Sequence, residues 1–141
     1  MEKIAEWIRK NSGTLLAVGV ALLTALVLFM GGVRVRLGSD ALRVSATTAP
    51  SLTIDYDDIR AARLAENIDL GSRISGMRGE RIMAGQYLND EFGRYRLYAY
   101  ARVPVYIDLT TEKGHVVFNA ATEEQTRSLY DQLLEKLPDI P

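Results

Sequence analysis

The chain has 141 residues, of which 48% are hydrophobic and 25% charged, and its formal net charge is −1. These values are typical of an ordinary globular protein. A charge this close to zero argues against a general nucleic-acid binder, whose affinity depends on a large excess of Lys and Arg. The absence of cysteine and the single histidine exclude disulfides, thiolate catalysis and Cys-based or multi-His metal sites.

Residues 14–33 form a long uncharged stretch, TLLAVGVALLTALVLFMGGV. Twenty helical residues rise by about 30 Å, which is the thickness of a bilayer's hydrocarbon core. A cleaved signal peptide is the alternative, because basic residues precede the stretch. The stretch is longer than the apolar region of a signal peptide, and no Ala-x-Ala-like site follows it. It therefore predicts an uncleaved single-pass transmembrane helix with the lipid bilayer as a partner.

Residues 1–13 form a basic flank that precedes this stretch. Ile4, Trp7 and Ile8 recur at helical spacing, so the flank is either an amphipathic turn in the membrane interface or a frayed stub in solvent. Three basic residues precede the stretch and three follow it closely, so the positive-inside rule does not decide the orientation. Basic residues directly before an N-terminal anchor favour an extracytoplasmic domain, which we expect on the outer side of the cell membrane.

Residues 34–141 show the alternating pattern of half-buried strands. VRVRL and ALRVSA, separated by Gly38-Ser39-Asp40, predict a hairpin, and SLTIDY alternates again. IRAARLAENI is compatible with a strand or a helical turn. Five glycines between positions 71 and 93 mark turns or bulges between short strands.

The second half of this domain predicts three more strands and one helix. RYRLYAYARV is the most regular strand, and VYIDLTT and HVVFNA form a hairpin around Glu112-Lys113-Gly114. Successive strands leave no room for crossover helices, which predicts an antiparallel sheet. An apolar stripe and a Thr122/Gln125 capping box predict an amphipathic helix over about residues 122–137.

Several short phrases, taken in order, resemble the bacterial pleckstrin-homology-like (PH-like) domain family, whose members often carry a membrane helix. The phrases are Asp40–Val44, Ile54–Ile59, Gly71–Gly76, Gly85–Tyr87, Phe92–Tyr98 and Val117–Asn119. The resemblance covers about residues 33–137. It implies a mainly β fold, an antiparallel PH-like barrel or sandwich closed by one C-terminal helix. It also implies assembly or protein binding without an established enzymatic activity, although a shared fold does not fix a function.

Arginines and tyrosines are the candidate binding residues. Residues 60–102 hold eight arginines against five acids, whereas residues 103–141 hold three basic residues against seven acids. This asymmetry is either an ordinary solvated surface or an arginine-rich face for phosphate headgroups or an acidic partner. Tyr98 and Tyr100, between Arg96 and Arg102, form an expected outward strip suited to an interface. The full set of ligand- or partner-binding candidates is Arg34, Arg36, Arg43, Arg73, Arg78, Arg81, Arg96, Tyr98, Tyr100 and Arg102.

The remaining polar residues favour no catalytic or metal site. Asp55, Asp57 and Asp58 lack the glycine and distal glutamate of a calcium loop. His115 follows a predicted turn and is expected to be exposed. No nucleophile elbow, phosphate-binding loop or carboxylate pair is present. We therefore expect a non-enzymatic, cofactor-free module for protein–protein interaction or self-assembly at a membrane surface. The alternative is a sensor of anionic lipid headgroups or of a small ligand.

Overall fold

The computed structural model describes residues 2–138, with the side chains of residues 26–30 outside the described part. The chain divides into two compact units, residues 1–31 and residues 32–141. The first unit contains helices α1 (Glu2–Lys10) and α2 (Ser12–Met30). At their junction, Asn11 donates a side-chain hydrogen bond to the carbonyl of Trp7. Apolar side chains of α1 lie exposed on one face, namely Ile4, Trp7 and Ile8.

The prediction of a transmembrane helix over residues 14–33 is wrong. Among the described residues, no helix combines the length and the hydropathy that a membrane crossing requires. Residues 26–30 of the predicted span lie outside the described side chains. This finding also overturns the predicted single-pass membrane localisation.

The second unit is mainly β and contains two sheets. The first sheet has the order β1-β2-β3 and the second the order β4-β8-β9-β7-β6-β5. Their strands are β1 (Val33–Leu37), β2 (Ala41–Ala46), β3 (Ala49–Asp55), β4 (Ile59–Glu66), β5 (Ser72–Arg78), β6 (Ile82–Asn89), β7 (Gly93–Tyr100), β8 (Val105–Thr111) and β9 (Gly114–Phe118). A 3-10 turn, Tyr56–Asp58, precedes β4, and α3 (Glu123–Lys136) ends the described fold. The ambiguous segment IRAARLAENI therefore forms mostly strand β4.

The prediction of a wholly antiparallel PH-like barrel or sandwich is wrong. β9 lies between β7 and β8, pairing parallel with β7 and antiparallel with β8. Parallel strands usually need a crossover helix, but here strand β8 itself provides the crossover between β7 and β9, so a parallel pair forms without a helix. The strands form two sheets, and the six-stranded sheet has mixed parallel and antiparallel pairing.

The six-stranded sheet is curled. Residues 67–71 connect β4 at one edge to β5 at the opposite edge. A flat six-stranded sheet separates its edges by about 24 Å, whereas this connection reaches at most about 21 Å. The connection crosses one face of the sheet, where Ile68 and Leu70 cover a core that includes Tyr87, Tyr95 and Leu97.

The opposite face of this sheet packs against the three-stranded sheet and α3. This larger core contains buried residues of both sheets and of the helix, including Val44, Ile54, Phe118 and Leu133. Helix α3 begins at the expected cap, where the Thr122 hydroxyl accepts a hydrogen bond from the Gln125 amide at 3.1 Å. Both faces of the six-stranded sheet therefore carry buried residues, and this includes both faces of strand β7.

Candidate functional site

Strand β7 presents alternate side chains to the three-stranded sheet. Tyr98 is only 2% exposed, and its hydroxyl donates a hydrogen bond to the Pro50 carbonyl at 2.9 Å. The Tyr100 hydroxyl accepts a hydrogen bond from the Val33 amide at 3.1 Å. The predicted outward tyrosine strip is therefore wrong. Because both faces of the sheet are covered, the strand's alternation does not separate core from solvent, and these tyrosines instead join the two sheets.

Towards the beginning of β7 the same face lines an open cleft of about 450 Å³, which is a usual size for a ligand site. Arg94 and Arg96 lie on this face, because strand neighbours alternate and Tyr95 and Leu97 belong to the core on the other side. The apolar part of the wall is formed by Leu52, Ile54 and Val116. The polar part is formed by Thr53, Asp58, Gln86, Arg94, Arg96, Thr111, Glu112 and Lys113.

Positive charge dominates this cleft. In the part of the chain that the structure describes, Arg94, Arg96 and Lys113 form no side-chain hydrogen bond or ion pair. Of the two carboxylates that line the cleft, Glu112 is paired with Arg60. Three available cations therefore face one available carboxylate, Asp58. An anion that entered this cleft would encounter charged donors at little cost in broken ion pairs.

A second polar cluster surrounds Asp108, whose side chain is 2% exposed. Its Oδ2 accepts a hydrogen bond from Arg63 Nε at 2.8 Å, and its Oδ1 lies 2.7 Å from His115 Nδ1. The His115 ring stacks on Phe92, with ring centroids 4.3 Å apart. The hydrogen bond that Arg63 donates to Asp108 is the main cause that raises the pKa of Arg63 above its ordinary value. This cluster stabilises a buried carboxylate, since a buried charge without partners is costly.

The expectation that His115 is simply exposed is also wrong. Its imidazole is half-buried and paired with Asp108. The residue borders the cleft, but alternation along β9 places its ring on the face of Val117, opposite to Val116. The ring therefore lies on the other side of the sheet from Arg94 and Arg96. The His–Asp pair and the cationic cleft are two separate arrangements.

The structure distributes the arginine candidates over several elements. Arg34, Arg36 and Arg43 are exposed on the outer face of the three-stranded sheet, where Arg36 lies opposite Arg43. The guanidinium groups of Arg73 and Arg78, on edge strand β5, donate to the carbonyls of Gly76 and Gly71. Two further candidates lie in turns, Arg81 before β6 and Arg102 after β7. Of the predicted set, Arg96 is the residue that lines the cleft.

Sequence reasoning did not select the other residues of the cleft. Arg94 and Arg96 alternate along one strand, and this alternation was visible in the sequence. The sequence did not show that Lys113 and Gln86 lie beside these arginines. The position of Lys113 depends on the insertion of β9 between β7 and β8, and that of Gln86 on its pairing with Arg96. Among the described residues no cluster of acids or histidine is suited to hold a metal ion, and this includes Asp55, Asp57 and Asp58.

Comparison of the chain with protein-family models, with curated proteins and with solved structures finds no significant match. The resemblance to the PH-like family is neither supported nor refuted by these comparisons, and it stays a prediction.

Proposed function

We propose that residues 33–138 form a non-enzymatic binding module whose site is the cleft between the two sheets, and that the ligand is an anion with an apolar portion. The observation that carries this proposal is a group of three cations, Arg94, Arg96 and Lys113, that have no ionic partner among the described residues and lie beside an apolar wall. Ligand sites are typically concave and mostly apolar, with a few convergent polar groups. This cleft is concave, and its convergent polar groups lie beside an apolar wall.

The arrangement favours an anion with two acidic groups. Positions two residues apart on one strand are separated by about 6.6 Å, so the side chains of Arg94 and Arg96 leave the strand at about that spacing. Charge-assisted hydrogen bonds from guanidinium to carboxylate or phosphate are stronger than neutral ones. The shared chemistry is therefore a carboxylate or a phosphate, and the geometry of the arginines accommodates both.

A titration of the full-length chain tests this proposal. The probes are glutarate, which carries two carboxylates, and glycerol phosphate, which carries the headgroup chemistry of an anionic lipid. Calorimetry at low salt is expected to show binding of one or both probes, and the affinity is expected to fall as salt screens the arginines. Preference for glycerol phosphate would indicate a phosphate ligand, and preference for glutarate would indicate a carboxylate ligand.

The double substitution Arg94→Gln with Arg96→Gln is expected to weaken binding at least about tenfold, because hydrogen bonds to charged groups contribute about 1.5–3 kcal/mol each. Arg36→Gln is the matched control, since Arg36 is exposed on the outer face of the other sheet. Absence of binding by both probes, or an equal loss in the Arg36 control, would refute the proposal.

A further inference from the structure

Strand β3 is an edge strand of the three-stranded sheet, and it forms one wall of the cationic cleft. An edge strand carries amide and carbonyl groups that can pair with another chain.

The hydrogen-bond alternation identifies the groups that point away from the sheet. The Tyr56 amide donates to the Asp40 carbonyl at 3.0 Å, so these two residues form a hydrogen-bonded pair. In an antiparallel ladder such pairs recur at every second residue. The next hydrogen-bonded pairs between β3 and β2 are therefore Ile54 with Leu42 and Leu52 with Val44. The amide and carbonyl of the intervening residue, Thr53, therefore point away from β2.

The neighbouring hairpin agrees with this alternation. The Gly38 amide donates to the Ala41 carbonyl at 2.8 Å, which makes Arg36 and Arg43 a bonded pair between β1 and β2. Arg43 then directs its backbone groups to β1, and Leu42 directs its groups to β3. Thr53 borders the cleft, and its outward amide and carbonyl have no partner in the described part of the chain.

The two edges of the six-stranded sheet differ from this one. At β4, the Tyr130 hydroxyl of α3 donates to the Ala62 carbonyl. At β5, arginine side chains donate to carbonyls at Gly71 and Gly76. Native proteins commonly cover or charge their edge strands to prevent pairing with other chains. The uncovered edge at Thr53, next to three available cations, is therefore suited to receive a strand.

From these observations we propose that the cleft binds an extended acidic peptide, which pairs with β3 at Thr53 as an added strand and directs alternate carboxylates to Arg94 and Arg96. Strand addition obtains affinity from backbone hydrogen bonds and specificity from alternate side chains. Alternate residues of an extended peptide repeat at about 6.6 Å, which matches the spacing of the two arginines. This inference rests on the proposed function and names the partner of the same site.

The test uses the full-length chain and the synthetic peptide acetyl-Val-Glu-Val-Glu-Val-amide. A peptide with lysine in place of both glutamates tests charge, and a peptide with N-methylated backbone amides tests strand pairing. We expect the acidic peptide to bind at least tenfold more tightly than the lysine peptide. Loss of backbone hydrogen bonds of about 1 kcal/mol each is expected to weaken the N-methylated peptide at least fivefold.

Amide hydrogen exchange provides the direct readout. Bound peptide is expected to slow exchange of the Thr53 amide at least tenfold, whereas glutarate leaves it unchanged. The substitution Thr53→Pro removes this outward donor without removing a bond to β2, and edge strands tolerate proline. It is expected to weaken binding of the acidic peptide at least fivefold more than binding of glutarate, because glutarate cannot pair with the strand as a peptide backbone does.

The outcomes separate the two proposals. Equal binding of the acidic and lysine peptides, or unchanged exchange at Thr53, refutes strand addition. If glutarate or glycerol phosphate still binds in that case, the proposed function stands and only the peptide partner is wrong. If no probe binds, both proposals fail.

Discussion

Replacement of Asn119 by leucine is expected to destabilise the β unit strongly. Asn119 is fully buried, and its side chain makes three hydrogen bonds. Its Oδ1 accepts the Tyr100 amide at 2.7 Å, and its Nδ2 donates to the carbonyls of Tyr100 at 3.2 Å and Val103 at 3.1 Å. These bonds connect the end of β7 to the turn before β8. Leucine has a similar size but cannot form them.

The magnitude follows from the groups that lose their partner. One buried amide and two buried carbonyls lose a hydrogen bond, at about 1 kcal/mol each, which gives about 3 kcal/mol. A domain of this size has about 5–15 kcal/mol of total stability. Since 1 kcal/mol shifts the midpoint of a domain of this size by about 4–8 °C, we expect Tm to fall by about 12–24 °C.

Urea and thermal unfolding followed by near-ultraviolet circular dichroism measure this change, because all seven tyrosines lie in the β unit. Gln132→Leu is the matched control, since Gln132 is exposed and its substitution should alter stability by less than about 0.5 kcal/mol. A loss below about 1 kcal/mol in Asn119→Leu would refute the assignment of this amide as a structural connection.

Three further predictions concern pH, ion pairs and backbone conformation. Burial raises the pKa of four tyrosines above the ordinary value of 10.0, namely Tyr56, Tyr87, Tyr95 and Tyr106. The neutral form is therefore favoured in the folded state, and the free energy of unfolding, measured in urea, should fall as the pH rises above about 10. Rising stability there would contradict the burial of these side chains. Arg63→Gln should lower the free energy of unfolding by about 1–3 kcal/mol, because it removes a partner of buried Asp108. Arg127→Gln removes only an exposed pair with Glu66 and should lower it by less than about 1 kcal/mol. Equal losses of the two variants in urea unfolding would contradict this difference. Gly85→Ala should lower Tm by several degrees, because Gly85 has φ +138° and a Cβ there would collide with the Ser75 carbonyl; an unchanged Tm would contradict the close strand approach.

Local patterns in the sequence determined most of the secondary structure. Alternation correctly indicated the strands around VRVRL, ALRVSA and VYIDLTT, because each of these short segments repeats its own preference every second residue. The capping residue Thr122 and the apolar stripe indicated the C-terminal helix. The ambiguous segment around Ala61 became a strand because its partner, β8, supplies a ladder that local propensity cannot show.

The tertiary structure alone decided the pairing order and the burial of β7. Consecutive strands usually lie next to each other, but β9 enters between β7 and β8 and creates a parallel pair. Tyr98 is buried and Tyr100 half-buried because a second sheet covers the face that local alternation assigned to solvent.

The sequence by itself determined that this chain contains a strand-rich unit with arginines as its candidate binding groups. It did not determine that Arg94, Arg96 and Lys113 would share one cleft, because these residues come from β7 and from the turn between β8 and β9. Their proximity depends on long-range pairing, which no local pattern encodes. The free edge at Thr53 has the same origin, since an edge exists only once the order of the strands in the sheet is known.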